Sequence, residues 1–388
     1  MIRNELQFII SCLAPQPAFE PDAFAEFDID RFLYLLDCHR LTNITYRQLQ
    51  SAPGVPATVR CRLKDQCVHK TFRQFFLVTE LYRVQTLLRK HHVEAITLKG
   101  PILSQLYYGD CTVRECKDVD ILVHPSDIQA AYTILTDSGY VLSDALWNSP
   151  KQEKIYHETF HHYDLYHPEL KIQLELHWRL NVAHIADEPT IWANAVVHTV
   201  GSLPIRTLSA TDTFMYLCMH GGMHQWKRLF WLLDIARIIE AEGDDFLLNT
   251  YQQAVAKGLA RHILSACLLA HRLLGTQLPV QLHDAIRQDT TLEKLLQTSV
   301  FWINAVSEPY ASPLESTRAF RLSIERFITA NLSVFYLDGY LGLRALLRDF
   351  FVKPVYWKMF AFSDSFFALN YAAAPFLWVY SIYSKRNV

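Results

Sequence analysis

Lys117-Asp118-Val119-Asp120-Ile121-Leu122-Val123 alternates polar and apolar side chains, the period of a β-strand with one buried face. On such a strand Asp118 and Asp120 share one face, and Val119, Ile121 and Val123 share the other. Two neighbouring carboxylates in a cleft repel one another and are costly to leave unpaired. A divalent cation removes that repulsion, and magnesium favours hard oxygen ligands of this kind, completed by substrate phosphates. An isolated D-x-D is more often a solvated strand end, so its neighbours along the chain decide the reading.

Downstream, Lys171-Ile172-Gln173-Leu174-Glu175-Leu176-His177-Trp178 alternates cleanly. Its apolar residues face a core, and Lys171, Gln173, Glu175 and His177 face the other way. Paired beside the aspartate strand, it adds Glu175 as a third carboxylate. Three carboxylates from two adjacent strands form the ligand set of a two-metal phosphoryl-transfer site. The expected metal ligands are therefore Asp118, Asp120 and Glu175, with Mg2+ or Mn2+ as the ion.

Upstream, residues 94–98 read as a short apolar strand and Lys99-Gly100-Pro101 as a turn. Pro101 suits the first position of a helix, which runs to about Tyr108 and stops at Gly109-Asp110. A strand–Gly–helix junction offers a helix N-terminus to anions, and Lys99 places a positive charge beside it.

Outside these motifs, residues 1–50 read as helical, with His39-Arg40 near a break. A long amphipathic helix is expected over 57–92, with Phe72, Phe75, Phe76, Val78, Leu81, Leu87 and Leu88 at broadly helical spacing. A helix opens at Pro125 and ends before Gly139, and strands are expected over 156–166 and 171–178. From Ser209 the pattern is helical: 212–223, 229–242, 245–256, 261–274 and beyond. The fold class is thus α+β. A small mixed sheet, residues 93–208, is flanked by an N-terminal helical region, 1–92, and a large all-helical C-terminal region, 209–388.

Composition bounds the function. The 388-residue chain is 51% hydrophobic, enough for substantial cores, and its formal charge of −2 offers no broad positive field for nucleic acid. Its eight cysteines form no C-x-x-C pair, which points to reduced thiols in a cytoplasmic protein. The N-terminus lacks the basic start and cleavage site of a signal peptide. No uncharged run reaches the ~18–20 residues of a membrane span. The closest, 366–383, is broken by Asn370 and Pro375 and reads as a packed C-terminal helix pair.

The order strand, Leu98-Lys99-Gly100, helix ending at Tyr108-Gly109, Arg114, Asp118-Val119-Asp120, then Glu175-Leu176-His177-Trp178 resembles the polymerase-β-like nucleotidyltransferase superfamily. More closely it resembles the bacterial uncharacterised nucleotidyltransferase family proteins, which often sit in polysaccharide or peptide-natural-product gene clusters. The likeness extends to His39-Arg40, the long helix, His161-His162, Leu217-x-x-His220-x-x-x-His224 and Trp231-Leu232-Leu233-Asp234, so it spans about 35–240. It implies transfer of a nucleoside monophosphate from an NTP such as ATP, with release of pyrophosphate. It also implies Asp118, Asp120 and Glu175 as catalytic metal ligands, with Lys99, Gly100, Arg114 and His177 on the nucleotide side. The wider superfamily has Gly-Gly or Gly-Ser at the turn. Here Pro101 follows Gly100 and has no N–H to offer a phosphate.

His220 and His224 lie four apart on a helix and share a face. The residues between them, Gly221, Gly222 and Met223, lack the Glu of a zinc-protease helix, so contacts to nucleotide or acceptor are expected instead. Lys227 and Arg228 stand at the next turn, where they could meet phosphate, and Asp234 on the next helix could orient one of the histidines. His161, His162, Asp164 and His167 crowd one strand, with His162 and Asp164 on one face; a metal cluster could form there, but an exposed polar face is the preferred reading. His162, His220, His224, Lys227 and Asp234 are the expected substrate contacts. The rival readings are an inactive nucleotide-binding scaffold of the same fold and a toxin-like enzyme acting on tRNA. The second needs a basic groove, which the overall charge does not support. A small molecule, peptide or glycan is therefore preferred over RNA as acceptor.

Overall fold

The computed structural model describes residues 4–13, 28–143, 147–180, 188–200, 203–307, 351, 356–357 and 362–384. The fold is α+β. Helices α1 (Asn4–Leu13), α2 (Ile29–His39), α3 (Thr42–Leu49) and the 34-residue α4 (Ala57–Lys90) precede the sheet. Then follow β1 (Ala95–Thr97), α5 (Pro101–Tyr108), β2 (Asp118–Val123), α6 (Ile128–Asp137), β3 (Val141–Leu142), α7 (Pro150–Thr159), β4 (His162–His167), β5 (Ile172–His177), α8 (Glu188–Asn194), β6 (Val196–Val200) and β7 (Leu203–Thr207). Helices α9 (Ala210–Met223), α10 (Leu229–Ala256, kinked at Gly243), α11 (Ala260–Leu274), α12 (Val280–Gln288) and α13 (Thr291–Val306) follow, with α14 (Ala368–Ser384) near the C-terminus.

The strands form one mixed seven-stranded sheet in the order β3-β4-β5-β2-β1-β7-β6. Strand β2 runs antiparallel to β1 and parallel to β5, and β5 runs antiparallel to β4. One face of the sheet is apolar. Val119, Ile121 and Val123 of β2, Leu174 and Leu176 of β5 and Tyr163 and Leu165 of β4 pack there with Leu77, Leu81, Val84 and Leu88 of α4 and Ala131 and Leu135 of α6. The other face carries Asp118, Asp120, Glu175 and His177. A second core beside it joins Leu122, Ile96 and Leu98 to α9, α10 and α11 and to the N-terminal helices α1, α2 and α3. That core runs across both of the boundaries expected near 92 and 208.

Four expectations change. Residues 156–159 are helical, because Ser149 caps α7 by accepting from Gln152 N–H and Pro150 stands in the first turn. The strand begins only at His162. The β6–β7 hairpin lies in a region where no strand is expected. Its strands are short, Pro204 interrupts the donors, and every β6 residue is at least partly exposed, so no alternating apolar face marks it. Along α4, Leu77, Leu81, Val84 and Leu88 are buried, whereas Phe72, Phe75 and Phe76 are exposed. The helix pair expected over 366–383 is instead a single helix, α14, preceded by a short turn of 3-10 helix at Asp364–Phe366, and Pro375 lies inside α14 without ending it. Among those residues, no helix is long and apolar enough to cross a membrane.

Two further details account for sequence features. Gly221 packs so closely under Trp226 that a Cβ there would sit 2.3 Å from the indole, which accounts for a glycine between His220 and His224. His39 is fully buried where α2 meets α10. Its Nδ1 accepts from Leu229 N–H (3.3 Å), so Nε2 carries the proton and donates to Ser307 Oγ (2.9 Å).

Burial pushes the pKa of His39 down to about 3, and that of His262 likewise to about 3. Both folded values lie below the ordinary ~6.5. The unfolded chain therefore takes up protons that the fold refuses, and stability falls as pH drops from about 6.5 towards 3. The slope is up to about 1.4 kcal/mol per pH unit for each histidine. Urea denaturation at pH 7 and pH 5 should show this loss, and His39→Gln should remove its share. An unchanged slope in that variant would show that His39 ionises freely in the fold.

Candidate active site

The geometry starts with strand pairing. In the parallel β2–β5 ladder Asp118 lies opposite Gln173 and Asp120 opposite Glu175. In the antiparallel β4–β5 ladder Glu175 lies opposite Asp164 and His177 opposite His162. Paired residues point to the same side of a sheet. Asp118, Asp120, Glu175, His177, His162 and Asp164 thus occupy one surface across three strands. Ligating atoms of Asp120, Glu175 and His177 lie within 4.8 Å of one another, as do those of His162, Asp164 and Glu175. Asp118 belongs to neither group, and stands beside Asp120 at the start of β2.

Asp120 is buried, and neither of its oxygens receives a hydrogen bond of good geometry. It faces the Lys99 ammonium, with Nζ 2.9 Å from Oδ1, and the His177 imidazole, with Nε2 at 3.8 Å. Lys99 follows β1, which pairs with β2, and Leu98 N–H donates to the Asp120 carbonyl (3.2 Å). The lysine expected to meet phosphate is therefore held against a carboxylate. Burial by itself would lower the Lys99 pKa, but Asp120 and the neighbouring acids carry it well above the ordinary value. Burial would likewise raise Glu175. Its contact with His177 Nε2 (3.2 Å) and the Lys99 charge reverse that and hold it well below the carboxylate range. His177 is raised, because its contacts with Asp120 and Glu175 outweigh its burial. Asp118 is raised by burial and by the negative charge of Asp120.

A divalent ion fits this donor set. Carboxylate oxygens of Asp120 and Glu175 approach one another on one face, with Asp118 beside them, and Asp118 is held above its ordinary pKa by burial and by the Asp120 charge, which an ion would offset. Gly100 adopts φ 83° and ψ −140° at the N-terminus of α5. Only the Asp118 carbonyl, at 4.0 Å, comes near where a Cβ would stand, so the backbone conformation, not space, calls for glycine here.

Arg114 and Asp234 lie elsewhere in the network. Arg114 Nε and Nη2 bind both oxygens of Asp234 at 2.8–2.9 Å, and Tyr108 O–H donates to the same carboxylate (2.7 Å). This buried fork ties the loop before β2 to α10. It occupies the guanidinium expected to meet phosphate and the carboxylate expected to orient a histidine. His220 and His224 form an aromatic group with Trp231, the rings of His224 and Trp231 stacking at 5.2 Å. Burial and the Lys99 charge keep His220 neutral. Lys227 follows α9 and is half-buried.

Folding gathers with Lys117 two cations that the sequence shows only separately, Arg40 and Arg228. Arg40 takes a left-handed conformation at the end of α2 (φ 56°), and its guanidinium lies 5.1 Å from the Phe230 ring, whose centre is 5.0 Å from Arg114. Its Nε is buried without a hydrogen-bond partner. Arg228 and Lys117 lie near Arg40: after burial, the Arg228 charge does most to lower the Arg40 pKa, and the Arg40 charge does most to lower that of Lys117. The available signal was the His39-Arg40 pair at a helix break. The partners come from α10 and the start of β2, which only folding brings together.

Lys99→Met should leave buried Asp120 facing Asp118 without its ammonium, costing about 3–5 kcal/mol, the usual result of removing one member of a buried pair. Chemical denaturation measures it. Unchanged stability would show that the fold does not depend on the Lys99–Asp120 pair.

Residues 25–275, well over half of the chain, match the profile of a family described as uncharacterised nucleotidyltransferase. No curated protein matches the chain.

Proposed function

The chain belongs to the uncharacterised nucleotidyltransferase family, and from that premise we propose that it moves a nucleoside monophosphate from an NTP to an acceptor with release of pyrophosphate. Asp118, Asp120 and Glu175 would hold the divalent ions, Mg2+ or Mn2+, of a two-metal site. The observation that carries this reading is the pairing of Asp120 with Glu175 across β2–β5, with Asp118 on the same face. When bound, such ions offset triphosphate charge and polarise the α-phosphorus.

The remaining work falls to the chain's own side chains. Gly100 leaves the approach to the start of α5 open, and that helix end favours negative charge. Arg40 and Lys117 put like charges beside Asp118, with Arg228 next to Arg40, a crowding that a polyphosphate would relieve. Lys99, 2.9 Å from Asp120, neutralises part of the acidic face. Glu175, held ionised by His177 and Lys99, suits a metal ligand close to the acceptor oxygen. His220, His224, His162 and Lys227 are the proposed acceptor-side contacts. The acceptor we favour is a small molecule, peptide or glycan, given the net charge of −2.

A screen of NTPs with magnesium, followed by pyrophosphate release in the presence of cell extract, should identify donor and acceptor. Asp118→Ala and Asp120→Ala should each lower the rate at least about a hundredfold, the scale of losing one electrostatic stabiliser of a transition state, with the fold retained by circular dichroism. Full activity in both variants would refute the assignment. NTP binding without pyrophosphate release across the screen would favour an inactive nucleotide-binding protein.

A further inference from the structure

His161 and His162 are consecutive, and in a regular strand their side chains would point to opposite faces. Here His161 precedes the first residue of β4. Its carbonyl accepts from Trp178 N–H (3.0 Å), closing the end of the β4–β5 ladder. Both rings converge on His177. Centroid separations are 4.5 Å for His161–His162, 4.9 Å for His162–His177 and 5.6 Å for His161–His177. One nitrogen from each ring lies within 4.8 Å of one from each of the others.

The surrounding carboxylates orient two of the rings. His162 Nε2 lies 3.4 Å from Asp164 Oδ1, and His177 Nε2 lies 3.2 Å from Glu175 Oε2. The Nδ1 atoms of His162 and His177 are buried and have no hydrogen-bond partner. An imidazole with one nitrogen on a carboxylate and the other bare is the arrangement found in carboxylate–histidine–metal triads. Such a cluster differs in kind from the Asp118–Asp120 face: imidazole suits zinc and its neighbours, whereas magnesium takes oxygen.

We propose that His161, His162 and His177 form a second site, for a zinc-type transition-metal ion, at the β4–β5 end of the acidic face, adjoining that face through the Glu175–His177 contact and with its fourth position open. Nitrogen ligands about 2.0–2.1 Å from a tetrahedral ion stand about 3.3 Å apart, so modest ring rotations close the site. Asp164 and Glu175 act as positioning residues, holding the rings through Nε2.

The test uses the full chain freed of metal with a chelator and titrated with zinc chloride by calorimetry, without NTP, so that its outcome is independent of nucleotidyl transfer. One equivalent should bind, and cobalt(II) in its place should give the visible absorption of a tetrahedral site. His161→Ala and His162→Ala should each weaken zinc binding at least about tenfold, whereas Asp118→Ala should leave it unchanged. If a variant folds poorly, His161→Asn serves instead: zinc should raise the melting temperature of the unaltered chain and not of this variant. Absence of saturable zinc binding, full binding in the histidine variants, or equal loss in Asp118→Ala would each overturn the proposal.

Discussion

The parallel register of β2 against β5 is the constraint on which the site depends. With Asp120 opposite Glu175, the two strands place their acids on one side and Val119, Ile121, Leu174 and Leu176 on the other. A slip of one residue would send Glu175 and His177 into the core and turn Leu174 and Leu176 out. The register is therefore held by the apolar face, packed under α4 and α6, while the chemistry sits on the opposite face. Stability and function are coupled through the period of the strand.

Collecting acids on a partly buried surface has an electrostatic cost, and the fold meets it with cations from other elements. Lys99, from the end of β1, lies against Asp120. Arg114 and Asp234 form a second, fully buried pair that fastens α10 to the loop entering β2. Phe230 lies between Arg40 and Arg114, with its ring about 5 Å from each guanidinium. In this way the helical layer is attached to the sheet beside the acidic face. The positive charges near Asp118 come from three separate stretches of chain.

Much of this was legible before folding was considered. The strands around Asp118–Asp120 and Glu175, the turn at Gly100, the long α4 and the helical second half all have short-range signals: alternation, a helix-opening proline, helical spacing. The hairpin at β6–β7 and the helix α7 had weaker signals. The former is a partly exposed edge without an apolar face, and the latter is started by a Ser-Pro cap amid residues that also suit a strand. Phe72, Phe75 and Phe76 of α4 match a helical apolar pattern yet are exposed, since periodicity says which residues share a face and not which face is covered.

What the sequence by itself determined is which side chains travel together. Asp118 with Asp120, Glu175 with His177, and His162 with Asp164 each share a strand face, because alternation is a property of the local backbone. Only the tertiary structure decided which strands became neighbours. It set Lys99 on Asp120, drew Arg114 away to Asp234, gathered Arg40, Lys117 and Arg228, and turned His161 back towards His177. These contacts join residues far apart in the chain, or break alternation at a strand end, and so they depend on the closing of the sheet and the packing of α9 and α10 against it.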